Sequence, residues 1–177
     1  MTGSDSPTKA VKADLVALIP RLRRFGYALT GSQDDGDDIA QIALERALSK
    51  LDQWRPGTRL DSWLFRIAHN AWIDEVRARK RRGVAVDLED APHLEGEDGR
   101  VFTAARLDLA QVRAVIATLP EEQRAVLALV AIEGLSYQEA ADTLDVPIGT
   151  VMSRLARARM ALAKRMERPG TGGEGGT

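Results

Sequence analysis

Residues 136 to 162, SYQEAADTLDVPIGTVMSRLARARMAL, constrain the fold more than any other stretch of the chain. Ser136 followed three residues later by Glu139 is a capping box, in which each side chain satisfies a backbone N–H that a helix start leaves open. The short helix it opens is broken at Asp145-Val146-Pro147, because proline has no N–H with which to continue it. A second helix is predicted from about 148 to 166, with Val151, Leu155, Ala158 and Leu162 recurring at helical spacing. Two helices joined by a three- or four-residue turn form a helix-turn-helix. The apolar stripe faces a core, which leaves Met152, Ser153, Arg154, Ala156 and Arg157 to face a partner. If that partner is DNA, Ile148 to Ala156 enter the major groove, and arginines further along meet phosphates. An ordinary helical bundle with a solvated arginine face fits the same pattern.

The rest of the chain also carries helical periodicity. Residues 1–12 are expected to be disordered. A helix is predicted over about 13–29, with Leu15, Leu18, Ile19, Leu22 and Phe25 on one side and with Pro20 and Gly26 as points of bending or interruption. The turn TGSQDDGDD places acids at the start of the next helix, where the macrodipole favours them. That helix, about 35–51, turns Ile39, Ala43, Ala47 and Leu51 inward. WRPGTRLD (54–61) reads as a loop by its Pro-Gly, with Thr58 or Asp61 as cap for a helix over about 61–81. The stripe Leu64, Ile67, Ala68, Ala71 and Val76 ends there in RARKRR (77–82). From 83 to 102 the composition shifts to Gly, Pro, Asp and Glu, which predicts an acidic linker between two domains. A helix near 103–117 opens the second domain. Pro120 and two glutamates start the next helix, and Gly134 ends it. Residues 168–177 read as a flexible Gly-rich tail.

Composition fits this all-α reading. Aromatics are 5% of the 177 residues, so the cores are built from Leu, Val, Ile and Ala. There is no cysteine, so disulfides and thiolate metal sites are excluded and a reducing cytoplasm suits the chain. The start has no secretory pattern, and the apolar run Ala125 to Ile132 is too short to span a bilayer. No membrane association is expected. The two histidines, His69 and His93, have no metal-ligand spacing, and no Gly-rich phosphate loop is present. The DDGDD stretch lacks the glutamate of a calcium loop. Catalysis, a cofactor, a metal and a small-molecule substrate are therefore not expected. The net charge of −1 argues against a simple nucleic-acid binder, but the charge is segregated. Acid gathers at 34–38 and 87–98, base at 77–82 and 154–168.

Three segments carry a resemblance when they are taken in order: DDIAQIALERAL, then WLFRIAHNAWIDEVRARKRR, then LPEEQRAVLALVAIEGLSYQEAADTLDVPIGTVMSRLARARMAL. Together they resemble bacterial RNA polymerase sigma factors, and the compact form resembles the extracytoplasmic-function (ECF, group 4) subfamily. The opening ALIPRLRRFGYALTG loosely resembles the general-stress members of alphaproteobacteria. The resemblance implies two small helical domains, a region 2 bundle (13–82) and a region 4 helix-turn-helix (103–167). It implies core RNA polymerase as partner, through the clamp coiled coil of the largest subunit and the flap, together with promoter DNA and an anti-sigma factor. A sigma-mimicking decoy and a stand-alone helix-turn-helix regulator are the alternatives.

The same resemblance implies roles for particular residues. Asp37, Asp38, Gln41 and Glu45 match the helix that docks on the clamp, although Ile42 stands where the family usually has an acid. Gly57, Thr58, Arg59 and Asp61 match the loop that captures a flipped base of the −10 element, a step whose unstacking costs a few kcal/mol. Asn70 matches a position near the separated strand, and Arg77, Arg79, Lys80 and Arg81 match backbone contacts. Thr150, Met152, Ser153, Arg154 and Arg157 match the −35-reading helix, with Met152 departing from a usual cation. Trp63, Phe65 and Trp72 suit base stacking, but suit a core better. Four or five phosphate contacts per half correspond to a salt slope of roughly −4, so each half binds weakly until one large enzyme tethers both. A 20-residue linker spans roughly 25 Å relaxed and roughly 65–70 Å extended, against roughly 70 Å for two turns of DNA.

Overall fold

The computed structural model describes residues 5–83 and 113–166. The predicted linker beyond Gly83, the first part of the helix predicted near 103–117 and the C-terminal tail lie outside those residues. All regular structure among the described residues is helical.

Where the sequence predicts one helix over 13–29 the structure has two, α1 (Asp5–Ala17) and α2 (Ile19–Thr30). Pro20 sits in the first turn of α2, and its missing N–H forces the break at Leu18. The helix also begins at Asp5, inside the stretch expected to be disordered. Gly26 neither bends nor interrupts α2. It is a notch, because a Cβ there would lie 2.4 Å from the Gly36 carbonyl oxygen of α3. The α2 helix ends at Gly31 with φ 76°, donating its N–H to Tyr27 O at 2.8 Å. Ser32 then caps α3 (Gln33–Ser49) by accepting from the Asp35 N–H. A short 3-10 turn, Leu51–Gln53, leads into the loop before α4 (Leu60–Arg81). Neither Thr58 nor Asp61 caps α4. Arg59 holds the cap position without a side-chain bond, and Asp61 instead accepts from the Ser62 N–H.

The second half resumes at a helical stretch, 113–117, followed by α5 (Glu121–Leu127). A π turn, Ala128–Ile132, widens the end of α5, and the Glu133 N–H reaches back five residues to Ala128 O. The predicted capping box is present at Ser136 and starts α6 (Tyr137–Leu144). Asp145 takes a left-handed conformation (φ 55°), which a short polar side chain tolerates, and α7 runs Ile148–Met166. The predicted stripe on α7 is the buried one: Val151, Leu155 and Ala158 are closed off from solvent.

The two halves predicted from the sequence share one buried cluster. It joins Leu22, Phe25, Leu29, Leu64, Phe65 and Trp72 to Leu119, Val126, Leu129, Leu135, Val151 and Leu155. Phe25 and Phe65 meet at 5.0 Å with a tilt of 50°, which is favourable aromatic geometry. Phe65 and Trp72 are core, and Trp63 is half-buried. The helix α2 packs on α5, and α4 packs on α6.

Candidate nucleic-acid interface

The helix α3 presents one polar face. Its Ile39, Ala43 and Ala47 turn inward against α2 and α4, and the opposite side exposes Asp38, Gln41 and Glu45. Gln41 donates to Glu45 at 3.1 Å. Asp37 is 40% exposed at its side chain but already paired, since Arg23 of α2 grips it with two bonds at 2.7 and 2.5 Å. That grip holds the Asp37 carboxyl below the usual carboxylate range. Leu48 follows on the same open face and is 43% exposed. The sequence reading passed over it, although its spacing from Glu45 on an exposed stripe is visible. Ile42 is half-buried, beside Asp38 in a groove with Trp72, Val76 and Arg124.

The loop 54–61 is exposed at Gly57 (φ 89°), Thr58 and Arg59. Arg59 embraces Asp61 at 3.0 and 2.7 Å and also pairs with Glu139, the capping-box acid of α6. The Asp61 carboxyl is held down to about 2, first by Arg59 and then by Arg21 and the Ser62 N–H. The cleft beside this loop, about 410 Å³, is lined by Thr58, Arg59, Ser62 and Trp63 on one wall and by Glu139 and Asp142 on the other. Arg66 closes it further by donating to the Asp142 and Thr143 carbonyls of α6. The loop predicted to meet a flipped base therefore has the helix-turn-helix half against it.

A second joint lies one helix away. Glu133, with no side-chain exposure, accepts from Arg21 at 2.9 Å and from Arg24 at 2.8 and 3.1 Å. Arg21 continues to Asp61 at 2.9 Å and lies over the Phe65 ring at 5.2 Å. Arg124 of α5 donates to the Leu29 carbonyl at 2.8 Å and stacks on Trp72. None of Arg21, Arg24, Arg66 and Glu133 was singled out from the sequence. The available signal was Glu133 itself, a carboxylate at a helix C-terminus, where the macrodipole disfavours it, directly after the run AVLALVAI.

The basic end of α4 divides. Arg79 is doubly paired, with Asp35 at 3.0 Å and Glu75 at 3.0 Å, so it meets a phosphate only by exchanging those partners. Lys80 lies 3.8 Å from Glu121. Arg77 and Arg81 are exposed. Asn70 and Arg77 of α4 line one cleft of about 630 Å³ together with His69, Arg46, Lys50 and Arg154. Residues expected to read the −10 element and a residue expected to read the −35 element thus face each other.

His69 is partly buried between Trp72 (6.0 Å between ring centres) and Arg154. Burial, then the Arg154 charge, lowers its pKa to about 4. The fold therefore prefers the neutral ring. Its contribution is intact above the ordinary value near 6.5 and is lost as pH falls from there towards 4. Equilibrium unfolding over pH 7 to 4 is expected to show a loss of at most ~3 kcal/mol from this group, which His69→Asn removes.

On α7, Met152, Ser153 and Arg157 are exposed and Thr150 is half-buried. The Ser153 hydroxyl donates to Thr150 O at 3.1 Å, leaving its lone pairs outward. Arg154 turns away from that face, 20% exposed and paired with Glu122 at 3.0 Å. Among the described residues no cluster of His, Cys, Asp or Glu could hold a metal ion, and no helix is long and apolar enough to cross a membrane.

Comparison with known proteins follows the same division. The sigma-70 region 4 model matches residues 109–162, and the model for the sigma2 domain of PhyR matches residues 15–69. The ECF RNA polymerase sigma factor EcfG of Rhodopseudomonas palustris is 36% identical over 156 residues, covering 88% of this chain and 84% of the relative. The ECF RNA polymerase sigma-E factor of Escherichia coli is 32% identical over 142 residues, covering 75% and 74%. The solved structure of the sigma factor RpoE, in complex with the anti-sigma factor NepR from Bartonella quintana, superposes with a TM-score of 0.74 at 31% identity, covering 90% of this chain and 98% of that one. With both halves matched in order, and a relative aligned along more than four-fifths of either chain, this protein belongs to the extracytoplasmic-function family of bacterial RNA polymerase sigma factors.

Proposed function

We propose that the protein binds core RNA polymerase in the cytoplasm and directs it to promoters, docking through the Asp38–Gln41–Glu45–Leu48 face of α3 and reading DNA with both halves. Gly57, Thr58, Arg59, Asp61 and Asn70 serve the −10 element, with Arg77, Lys80 and Arg81 on its backbone. Thr150, Met152, Ser153 and Arg157 serve the −35 element, and Arg154 joins them once Glu122 and the α4 cleft release it. The observation that carries this reading is an arrangement: the α3 face and the start of α7 are open, while the loop 54–61 and the Asn70–Arg77 side of α4 each form one wall of a cleft whose other wall is the second half. Such a chain is promoter-competent only after the halves part, which docking at separate places on a large enzyme accomplishes. The NepR complex of the Bartonella relative supports an anti-sigma factor as a further partner.

The decisive experiment mixes the protein with sigma-free core polymerase and genomic fragments and sequences the transcript starts. Defined starts sharing two upstream elements are the expected result. A decoy gives anti-sigma binding without starts, and a stand-alone regulator gives DNA binding without core. Asp38→Lys is expected to lower core affinity about fivefold, the equivalent of the ~1 kcal/mol at the top of the exposed ion-pair range. Affinity unchanged in a core-binding titration removes α3 as the docking surface.

A further inference from the structure

The start of α7 combines two features that seldom occur together on a solvent-facing helix. Its buried stripe begins at Val151, which leaves Ile148 42% and Met152 51% exposed. The two are four residues apart and so stack on one side of the first turn, ~6 Å from each other. Gly149 between them is bare backbone, with nothing within 4 Å of where a Cβ would lie. Arg157 and Arg159 are exposed in the following turns. This is an apolar pair on the segment of a helix-turn-helix that enters the major groove, with cations placed behind it for phosphates.

The chemistry of the groove selects what such a pair can meet. A cation at position 152 would read the O6 and N7 acceptors of guanine, whereas a thioether offers no donor for them. The apolar feature of the major groove is the C5 methyl of thymine. We infer that Ile148 and Met152 form an apolar reader of one or two neighbouring thymine methyls in the upstream promoter element. Met152 thereby sets base preference where a cation would otherwise select guanine. The one-turn separation of the side chains spans about two base steps, so the sensitive thymines lie next to each other or one pair apart. This inference rests on the promoter-reading function proposed above.

The test uses the holoenzyme on a promoter obtained from the transcript-start experiment. Each thymine of the upstream element is replaced in turn by deoxyuridine, which removes only the methyl group. The wild-type protein is expected to lose about fourfold in affinity at one or two positions, the value of one buried methyl. In Met152→Ala that loss disappears at one position at least, in the double variant Ile148→Ala, Met152→Ala it disappears at all of them, and in Met152→Leu it is retained. Because Ile148 and Met152 are exposed, none of these variants threatens the fold. Uracil-blind binding by the wild-type protein overturns the assignment and gives Ile148 and Met152 to a protein partner instead. A uracil penalty that persists undiminished at every position in the double variant Ile148→Ala, Met152→Ala also overturns it. Absence of any defined start on unmodified DNA overturns the promoter-reading function itself, a separate failure.

Discussion

Glu133→Lys is expected to part the two halves of the free protein. In the folded chain the Glu133 side chain has no exposure, while Arg21 and Arg24 are 30% and 51% exposed. The asymmetry decides which change matters. Arginines that lose Glu133 still reach water, and Arg21 keeps Asp61. A Glu133 that loses both arginines is a buried charge with no partner, a state that costs roughly 3–5 kcal/mol. Both Glu133→Lys, which sets three cations together, and the double variant Arg21→Met, Arg24→Met are therefore expected to open the joint. Glu133→Gln keeps the shape without the charge and is expected to fall between them and the native protein. By contrast, Glu139→Ala removes an exposed pair with Arg59, of a kind worth ~0–1 kcal/mol, and should leave the halves together. The chain has no cysteine, so single cysteines at exposed Ser49 and Ala163 give an unambiguous label pair. The spin-label or fluorescence distance between them is expected to lengthen and broaden in Glu133→Lys, with a larger radius of gyration in X-ray scattering. An unchanged, narrow distance would show that the shared apolar cluster alone holds the closed form. High salt should open the native protein only in part, because it screens exposed pairs over ~3 Å at 1 M and reaches a buried carboxylate poorly.

The joint also marks where sequence reasoning stops. The helices were legible because a buried stripe repeats every three to four residues, and Val151, Leu155 and Ala158 fall where that rule puts them. The capping box at Ser136 was legible because its two partners are three residues apart. Both signals are local. Arg21 and Glu133 are 112 residues apart, and nothing in RLRRF distinguishes Arg21 and Arg24, which meet Glu133 across the joint, from Arg23, which meets Asp37 within the same half. Local rules also say nothing of the Asp35 and Glu75 that pair with Arg79, or of the Trp72 and Arg154 that shelter His69. The site fared as its residues did. Positions on exposed faces, such as Asp38, Met152 and Arg157, stand open, whereas those near the joint, such as Arg59 and Arg154, are engaged by groups from elsewhere in the chain. The glycine notch was nearer to being readable, since Gly26 and Gly36 lie equally far on either side of Gly31, the turn between α2 and α3. In an antiparallel helix pair, positions equidistant from the turn face one another.

Gly36→Ala follows from that notch and is expected to cost more than helix propensity returns. A Cβ at Gly36 would stand 2.6 Å from the Tyr27 nitrogen, 2.8 Å from its Cα and 2.9 Å from the Gly26 carbonyl carbon. All three are backbone atoms inside a helix, so no rotamer change can relieve the contact, and α2 and α3 must separate. Alanine is favoured over glycine in a helix interior by ~1 kcal/mol, whereas overpacking a rigid contact costs ~1–3 kcal/mol and occasionally more. Separation also loosens the packing of Phe25, Ala40 and Ala43, all buried, and stretches the Arg23–Asp37 pair that spans the same two helices. The expected net loss is ~1–2 kcal/mol, which lowers the melting temperature by up to roughly 10 °C if the first half melts as its own unit. Gly149→Ala is the counterpart. It has open space around its Cβ and a helical position in α7, so propensity acts alone and the same substitution is expected to raise stability by up to ~1 kcal/mol. Calorimetry on the two variants separates the effects by sign. A Gly36→Ala protein that melts at or above the native temperature would mean that α2 and α3 do not cross backbone to backbone. In that case the Asp38–Gln41–Glu45 face would have to be placed by some other contact.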